Sequence, residues 1–178
     1  MFELYTNRLK IRSLQREDWQ VYLSIHQDPS VNQFVRRPDS AEVIAEKFAA
    51  RLTPWVFESG DWLTLTIEEL TTGQIVGFTG LHASNVTLAH AEVGYMLSPG
   101  SHGKGYATES LNAVIDWGCL QYQIHKFIGV CVKDNRASAR VLEKCAFQLE
   151  GILRHNYKLD DLWVDDCYYG LLASERPL

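Results

Sequence analysis

Four cysteines in 178 residues, at Cys119, Cys131, Cys145 and Cys167, never fall into a C-x-x-C pair. That spacing argues against a zinc knuckle and against a disulfide frame. The six histidines are scattered, with no H-x-x-x-H, so no metal is expected. The opening Met1-Phe2-Glu3-Leu4-Tyr5-Thr6 has neither the basic nor the apolar segment of a secretory leader. No apolar run approaches the roughly 18 residues of a membrane span. These absences lead to the expectation of a cytoplasmic protein with reduced thiols and no membrane contact. Basic blocks are missing too. With 17 Lys and Arg against 22 Asp and Glu, the formal charge is −5, and direct nucleic-acid binding, which needs clustered cations, is not expected. Low-complexity tracts, internal repeats and long linkers are also absent, and the length suits a single domain over 1–178 with a core of its own.

What the chain does have is an alternation of recognisable elements. Arg8 to Leu14 alternates polar and apolar residues as a half-buried strand does. Helical patterns run from Glu17 to Ile25, closed by Asp28-Pro29, and from Ala41 to Leu52, ended by Thr53-Pro54. Trp62 to Glu68 and Ile75 to Leu81 read as a hairpin around Thr71-Thr72-Gly73, and His90 to Leu97 as a further strand. From Ala107 the apolar positions 107, 111, 114, 115, 118, 119 and 122 share one helical face. Lys126 to Val132 reads as a strand, Asn135 to Lys144 as a short helix, and Phe147–Asn156 and Val164–Leu172 as two closing strands. The order β-α-α-β-β-β-α-β-α-β-β predicts an α+β fold with a mixed sheet.

The most informative stretch is His102-Gly103-Lys104-Gly105-Tyr106-Ala107-Thr108, between a strand and a helix. A glycine-rich strand-to-helix turn turns free backbone N–H groups toward an anion at the positive end of a helix dipole. A Walker loop fails here, because Ser98 stands where its first glycine belongs and Gly105 where its Ser or Thr belongs. A dinucleotide G-x-G-x-x-G fails at Thr108.

Leu97-Ser98-Pro99 followed by His102 to Leu111 resembles the acyl-CoA pyrophosphate loop of the GNAT N-acetyltransferases. Asn135-Arg136-Ala137-Ser138 through Cys145-Ala146-Phe147, running on to Glu150-Gly151, looks like the second signature of that superfamily. Thr6-Asn7-Arg8-Leu9-Lys10-Ile11-Arg12 and Asp28-Pro29 also fit the RimJ/RimL-like branch, the N-terminal acetyltransferases of ribosomal proteins.

The resemblance implies a mostly antiparallel central sheet with helices on both faces, splayed where acetyl-CoA lies. It implies direct attack of a primary amine on acetyl-CoA, with no metal. The amine is most simply a protein N-terminus, as on a ribosomal protein. A small amine (polyamine, amino sugar, antibiotic or amino acid) is the alternative, and a non-catalytic acyl-CoA-binding module a third reading. The oligomeric state, monomer or homodimer, stays open.

By the same resemblance the cofactor is held by Met96, Leu97, His102, Gly103, Lys104, Gly105, Tyr106, Ala107, Thr108, Asn135 and Ser138. A backbone N–H near Tyr95 to Leu97 polarises the carbonyl. Glu150, just after the second signature, and Glu92, on the strand before the loop, are the two carboxylates that could take the proton. Either could equally be a surface or ion-paired glutamate, and Lys104 a solvated loop lysine. Leu142 stands where many GNAT enzymes carry the tyrosine that protonates the leaving thiolate, so Ser138 is the substitute. Asn135 and Ser138 also have the spacing of an ordinary helix cap. Two residues depart from the pattern: His102 replaces Gln or Arg, and Ala146 replaces a glycine expected in the left-handed region after the helix.

Overall fold

The computed structural model describes residues 2–176. One eight-stranded sheet carries the fold. In chain order its strands are β1 (Glu3–Tyr5), β2 (Leu9–Ser13), β3 (Leu63–Glu69), β4 (Ile75–Asn85), β5 (His90–Leu97), β6 (Lys126–Val132), β7 (Gln148–Leu159) and β8 (Leu162–Leu172). They lie in the spatial order β1-β2-β3-β4-β5-β6-β8-β7. Every neighbouring pair is antiparallel except β5 with β6. Among the described residues five α-helices accompany them: α1 (Trp19–Gln27), α2 (Pro29–Asn32), α3 (Ala41–Arg51), α4 (Tyr106–Tyr122) and α5 (Arg136–Lys144). The expected mixed, mostly antiparallel sheet is present. Strand β1 and the one-turn α2 were not anticipated: three residues carry too little periodicity, and Asp28-Pro29 is a helix start as well as a stop, since Asp28 accepts from Ser30 and Val31 N–H.

Period two on the strands sorts the core onto two faces. On one face Ile11, Leu65, Leu81 and Val93 meet Leu111, Val114 and Ile115 of α4, and the core continues to Leu142 of α5. On the other face Phe78 and Leu14 meet Tyr22 and Ile25 of α1 and Ile44 and Phe48 of α3. Helices therefore cover both faces. A β-bulge in β4 opposite Ile67 and Glu68 shifts its register, which brings Val76 under α4 while Phe78 reaches α1.

Below α1 lies a buried ionic knot. Arg12 donates twice to Asp18 at 2.8 Å, and Asp18 also accepts from Gln15 N–H and the Thr66 hydroxyl. Arg12 reaches Glu68 as well, at 2.7 Å. Burial alone would raise the Asp18 pKa, but the Arg12 hydrogen bonds together with Gln15 and Thr66 hold it below the usual carboxylate range. The knot ties β2, β3 and the entry of α1 together.

Candidate active site

The parallel pairing of β5 with β6 covers only His90↔Lys126, Ala91↔Phe127 and Glu92↔Ile128. Beyond Glu92 the two strands part. Val93 to Leu97 leave an unpaired strand edge of roughly 16 Å at 3.3 Å per residue. Polar backbone in a sheet interior demands a partner; here it faces a cavity of about 1090 Å³. The cavity opens to both faces of the sheet. It is walled by the 101–108 turn, α4 and α5 on one side and by α1, the α2–α3 region and Trp62 on the other.

The turn is shaped by two glycines, Gly103 at φ +74 and Gly105 at φ +83. Gly105 is the N-cap residue of α4 and supplies no side-chain cap, so the first amides of the helix are not satisfied locally. A β-carbon on Gly103 would meet nothing within 4 Å, and on Gly105 only the Arg8 guanidinium at 3.4 Å, so the approach to the turn is open. The turn suits the diphosphate of a CoA molecule: free amides at a helix N-terminus, with α5 adding Arg136, Arg140 and Lys144 to the same wall.

Distant residues brace the turn. Arg8 donates to the Lys104 carbonyl at 3.0 Å and to Glu109 at 2.7 Å, and its guanidinium sits 4.9 Å over the Tyr106 ring. Glu109 also accepts from the Thr6 hydroxyl and the Arg8 amide. The Tyr106 hydroxyl donates to Glu69. His102, the unusual residue of the turn, donates from Nε2 to the Leu97 carbonyl at 3.0 Å and so clips the turn to the end of β5. Lys104 is outside the cavity wall, and its exposed side chain points near Tyr106 instead.

Across the notch, Tyr95 of β5 reaches α5. Its hydroxyl lies 2.8 Å from Ser138 Oγ and 3.0 Å from the Ser138 carbonyl. Asn135 Oδ1 accepts the Ser138 amide at 3.1 Å, so the expected cap is present and uses the Ser138 backbone, while the hydroxyl meets Tyr95. Burial pushes the Tyr95 pKa far up, outweighing its Ser138 bond, and the phenol keeps its proton. The bridge escaped sequence reasoning. The alternation of Ala91, Val93, Tyr95 and Leu97 does put this tyrosine on the α4 and α5 face. Leu142 is buried in the core against Gly129, where an added β-carbon would lie 2.5 Å from it.

The two glutamates part company. Glu92 lines the cavity at the fork, 3.6 Å from His82 Nε2, with the Trp62 ring 4.5 Å from that imidazole. Glu150 does not reach the cavity. It sits in a bulge of β7 beside Gly170, about half exposed, with both oxygens on Lys126 Nζ at 2.8 and 2.7 Å. Lys126 begins β6, at the end where β5 and β6 are still paired. The far end of β6, at Val132, is six residues or roughly 20 Å away. Register decided this: β7 begins with Gln148 opposite Gly170, level with Ile128 where β5 and β6 are still paired, and reaches the open end of the fork only near Leu153, opposite Asp166 and Val132. Met96, Leu97, His102, Gly103, Gly105, Tyr106, Ala107, Thr108, Asn135 and Ser138 all line the cavity. Among the described residues no group of three or more His, Cys, Asp or Glu is placed to hold a metal ion.

Residues 8–148 match the acetyltransferase (GNAT) domain family. The chain belongs to that family. GNAT relatives follow it closely in length: the uncharacterized N-acetyltransferase p20 of Bacillus licheniformis is 26% identical over 175 residues, 98% of each chain. The ribosomal-protein-serine acetyltransferase of Escherichia coli is 30% identical over 102 residues, 57% of this chain and 55% of that one, in keeping with the RimJ/RimL-like branch. Among solved structures, a GNAT acetyltransferase from Bacillus anthracis superposes with a TM-score of 0.86 at 22% identity, covering 98% and 100% of the two chains. The spermidine N-acetyltransferase of Vibrio cholerae, solved with CoA and spermine, gives 0.83 at 19% identity, covering 96% and 98%. This GNAT chain is an acetyl-CoA-dependent N-acetyltransferase that acts on an amine.

Proposed function

We propose that the amine acceptor is a protein N-terminus and that Glu92 and Ser138 handle the protons. The observation that carries the proposal is the cleft itself: its lining spans both faces of the sheet, from the 101–108 turn and α5 to α1, α3 and Trp62, which gives an extended chain end room beside Glu92. The ribosomal-protein-serine acetyltransferase among the relatives supports the same acceptor class. Likeness to the Vibrio cholerae spermidine enzyme is one of fold, while the spermidine N(1)-acetyltransferase of Escherichia coli, 28% identical over 85 residues, keeps a small amine as the alternative acceptor.

Acetyl-CoA supplies the acetyl group as an activated thioester. The amides of the 103–108 turn hold its diphosphate, and Lys104 adds charge only at a distance. An unpaired β5 amide between Tyr95 and Leu97 faces the carbonyl oxygen, where negative charge develops. Glu92 takes the proton that the acceptor ammonium must lose before its nitrogen can attack. Ser138 Oγ returns a proton to the departing sulfur, and the Tyr95 hydroxyl, in hydrogen-bond contact with both the carbonyl and Oγ of Ser138, holds the serine in place. Glu150, occupied by Lys126 at the closed end of the fork, has no part in this scheme.

The test is thiol release with peptide and small-amine acceptors, alongside calorimetric acetyl-CoA binding. Glu92→Gln is expected to lower kcat by about 10² to 10⁴ with acetyl-CoA affinity intact. Ser138→Ala lowers kcat less, and Glu150→Gln leaves it unchanged. A near wild-type rate for Glu92→Gln overturns the assignment. Turnover of spermidine with none of any peptide overturns the acceptor.

A further inference from the structure

The protein is acidic overall, with a formal charge of −5, yet its cleft is not. Arg136, Arg140 and Lys144 lie on the α5 side, where a CoA molecule carries its phosphates. A second basic group, Arg36, Lys47 and Arg51, lines the opposite wall, built by α3 and the segment before it. The phosphate-binding turn does not account for these residues, because α1 and α3 pack on the other face of the sheet from α4 and α5.

The three are not equally available. Lys47 is paired with Asp39 at 2.5 Å. Arg51 donates to the Tyr22 hydroxyl at 2.7 Å, a neutral partner. Arg36 is exposed and, among the described residues, neither it nor Arg51 has a carboxylate within ion-pair distance. The neighbouring imidazole registers their field. His26 is stacked on Tyr22 with ring centroids 3.9 Å apart, and its Nδ1 donates to the Tyr22 carbonyl. Burial first, then Arg51, Arg36 and Lys47, pull its pKa down to about 4, so the ring stays neutral and does not compete for an anion.

The distance from this wall to the reaction centre can be measured along the sheet. Tyr22 packs on Phe78 at 5.1 Å, and Phe78 pairs with Met96. From Met96 back to Gly94 is roughly 7 Å, and to Glu92 roughly 14 Å. An extended peptide covers that span in about two to four residues.

We infer that the preferred acceptor is an acidic N-terminus, whose amine lies at Glu92 while a carboxylate among its second to fourth residues is held by Arg36 and Arg51. The inference rests on the N-terminal-amine reading above. It gives the two walls different tasks: α5 holds the phosphates of the donor, and α3 with the preceding segment selects the acceptor.

Initial rates with three hexapeptides test it, identical except for Glu, Gln or Lys at positions two to four, with spermidine as a fourth acceptor. The expected order of kcat/KM is Glu over Gln over Lys, with about tenfold between the ends. The gap narrows as salt is raised. Arg36→Glu is the informative variant, because an exposed side chain without hydrogen bonds can be replaced without unfolding the wall. It is expected to reverse the order, with KM for acetyl-CoA unchanged. Equal use of all three peptides overturns the acidic preference and leaves the N-terminal reading standing. Use of spermidine and of no peptide overturns both. A raised KM for acetyl-CoA in Arg36→Glu, with the peptide order intact, assigns this wall to the donor and refutes the inference.

Discussion

Ala146 occupies a backbone conformation made for glycine, and replacing it should stabilise the protein. Helix α5 ends in a Schellman arrangement: Phe147 N–H bonds to the Leu142 carbonyl and Ala146 N–H to the Glu143 carbonyl, both at 3.0 Å. That closure needs a left-handed residue after Cys145, and Ala146 supplies it at φ +68. An L-residue there costs about 1 to 2 kcal/mol against the right-handed region, and glycine nothing comparable. The methyl group is exposed, so its removal forfeits no packing. Glycine's greater freedom in the unfolded chain returns about 0.4 to 1 kcal/mol of the gain. The balance for Ala146→Gly is about +0.5 to +1 kcal/mol, or a rise in Tm of about 1 to 4 °C for a chain of this size. Thermal unfolding followed by circular dichroism reads it. Ala49→Gly, an exposed alanine inside α3, is the control and is expected to move Tm down. If both variants lose stability alike, the left-handed strain argument is wrong.

Three further outcomes follow from other sites. Gly105→Ala forces a β-carbon onto φ +83 at the start of α4 and is expected to weaken acetyl-CoA binding about tenfold, while unchanged calorimetric affinity would show that the turn tolerates a side chain. Asp18→Asn leaves Arg12 with Glu68 as its remaining carboxylate and removes a doubly bonded buried charge pair, and is expected to cost about 2 to 3 kcal/mol in urea unfolding, a loss under 1 kcal/mol arguing that the knot is expendable. His26 is neutral in the fold but charges in the unfolded chain near pH 6.5, so its contribution is complete above that pH. It is lost as pH falls toward about 4, by up to roughly 3 kcal/mol, and unfolding curves of His26→Gln should lack that slope.

Patterns that are local in the chain are legible in the sequence alone. The helix of Ala107 to Tyr122 rests on apolar residues three and four apart. The 102–108 turn rests on two glycines whose positive φ values no other residue adopts without strain. Asn135 three residues before Ser138 announced the cap that forms. Of the two departures from the pattern, Ala146 does take the left-handed conformation, whereas the bond of His102 to the end of β5 appears only in the structure.

Glu150 shows where that legibility stops. Its place in the chain, just after a signature, says nothing of which way β7 runs, and a bulge after Leu149 turns it onto Lys126 instead of the cleft. The Tyr95 to Ser138 bridge spans 43 residues, and the brace of Thr6 and Arg8 on Glu109 about a hundred. Nothing local links such partners. By itself the sequence determined the two-period and 3.6-period elements, the glycine turn before α4 and the cap of α5, because these depend on residues a few positions apart. Only the tertiary structure decided which glutamate faces the fork, which tyrosine holds the serine, and which arginines look across the cleft. Those depend on strand register and on β5 parting from β6 after Glu92, and a shift of one residue in a strand exchanges every side chain between faces.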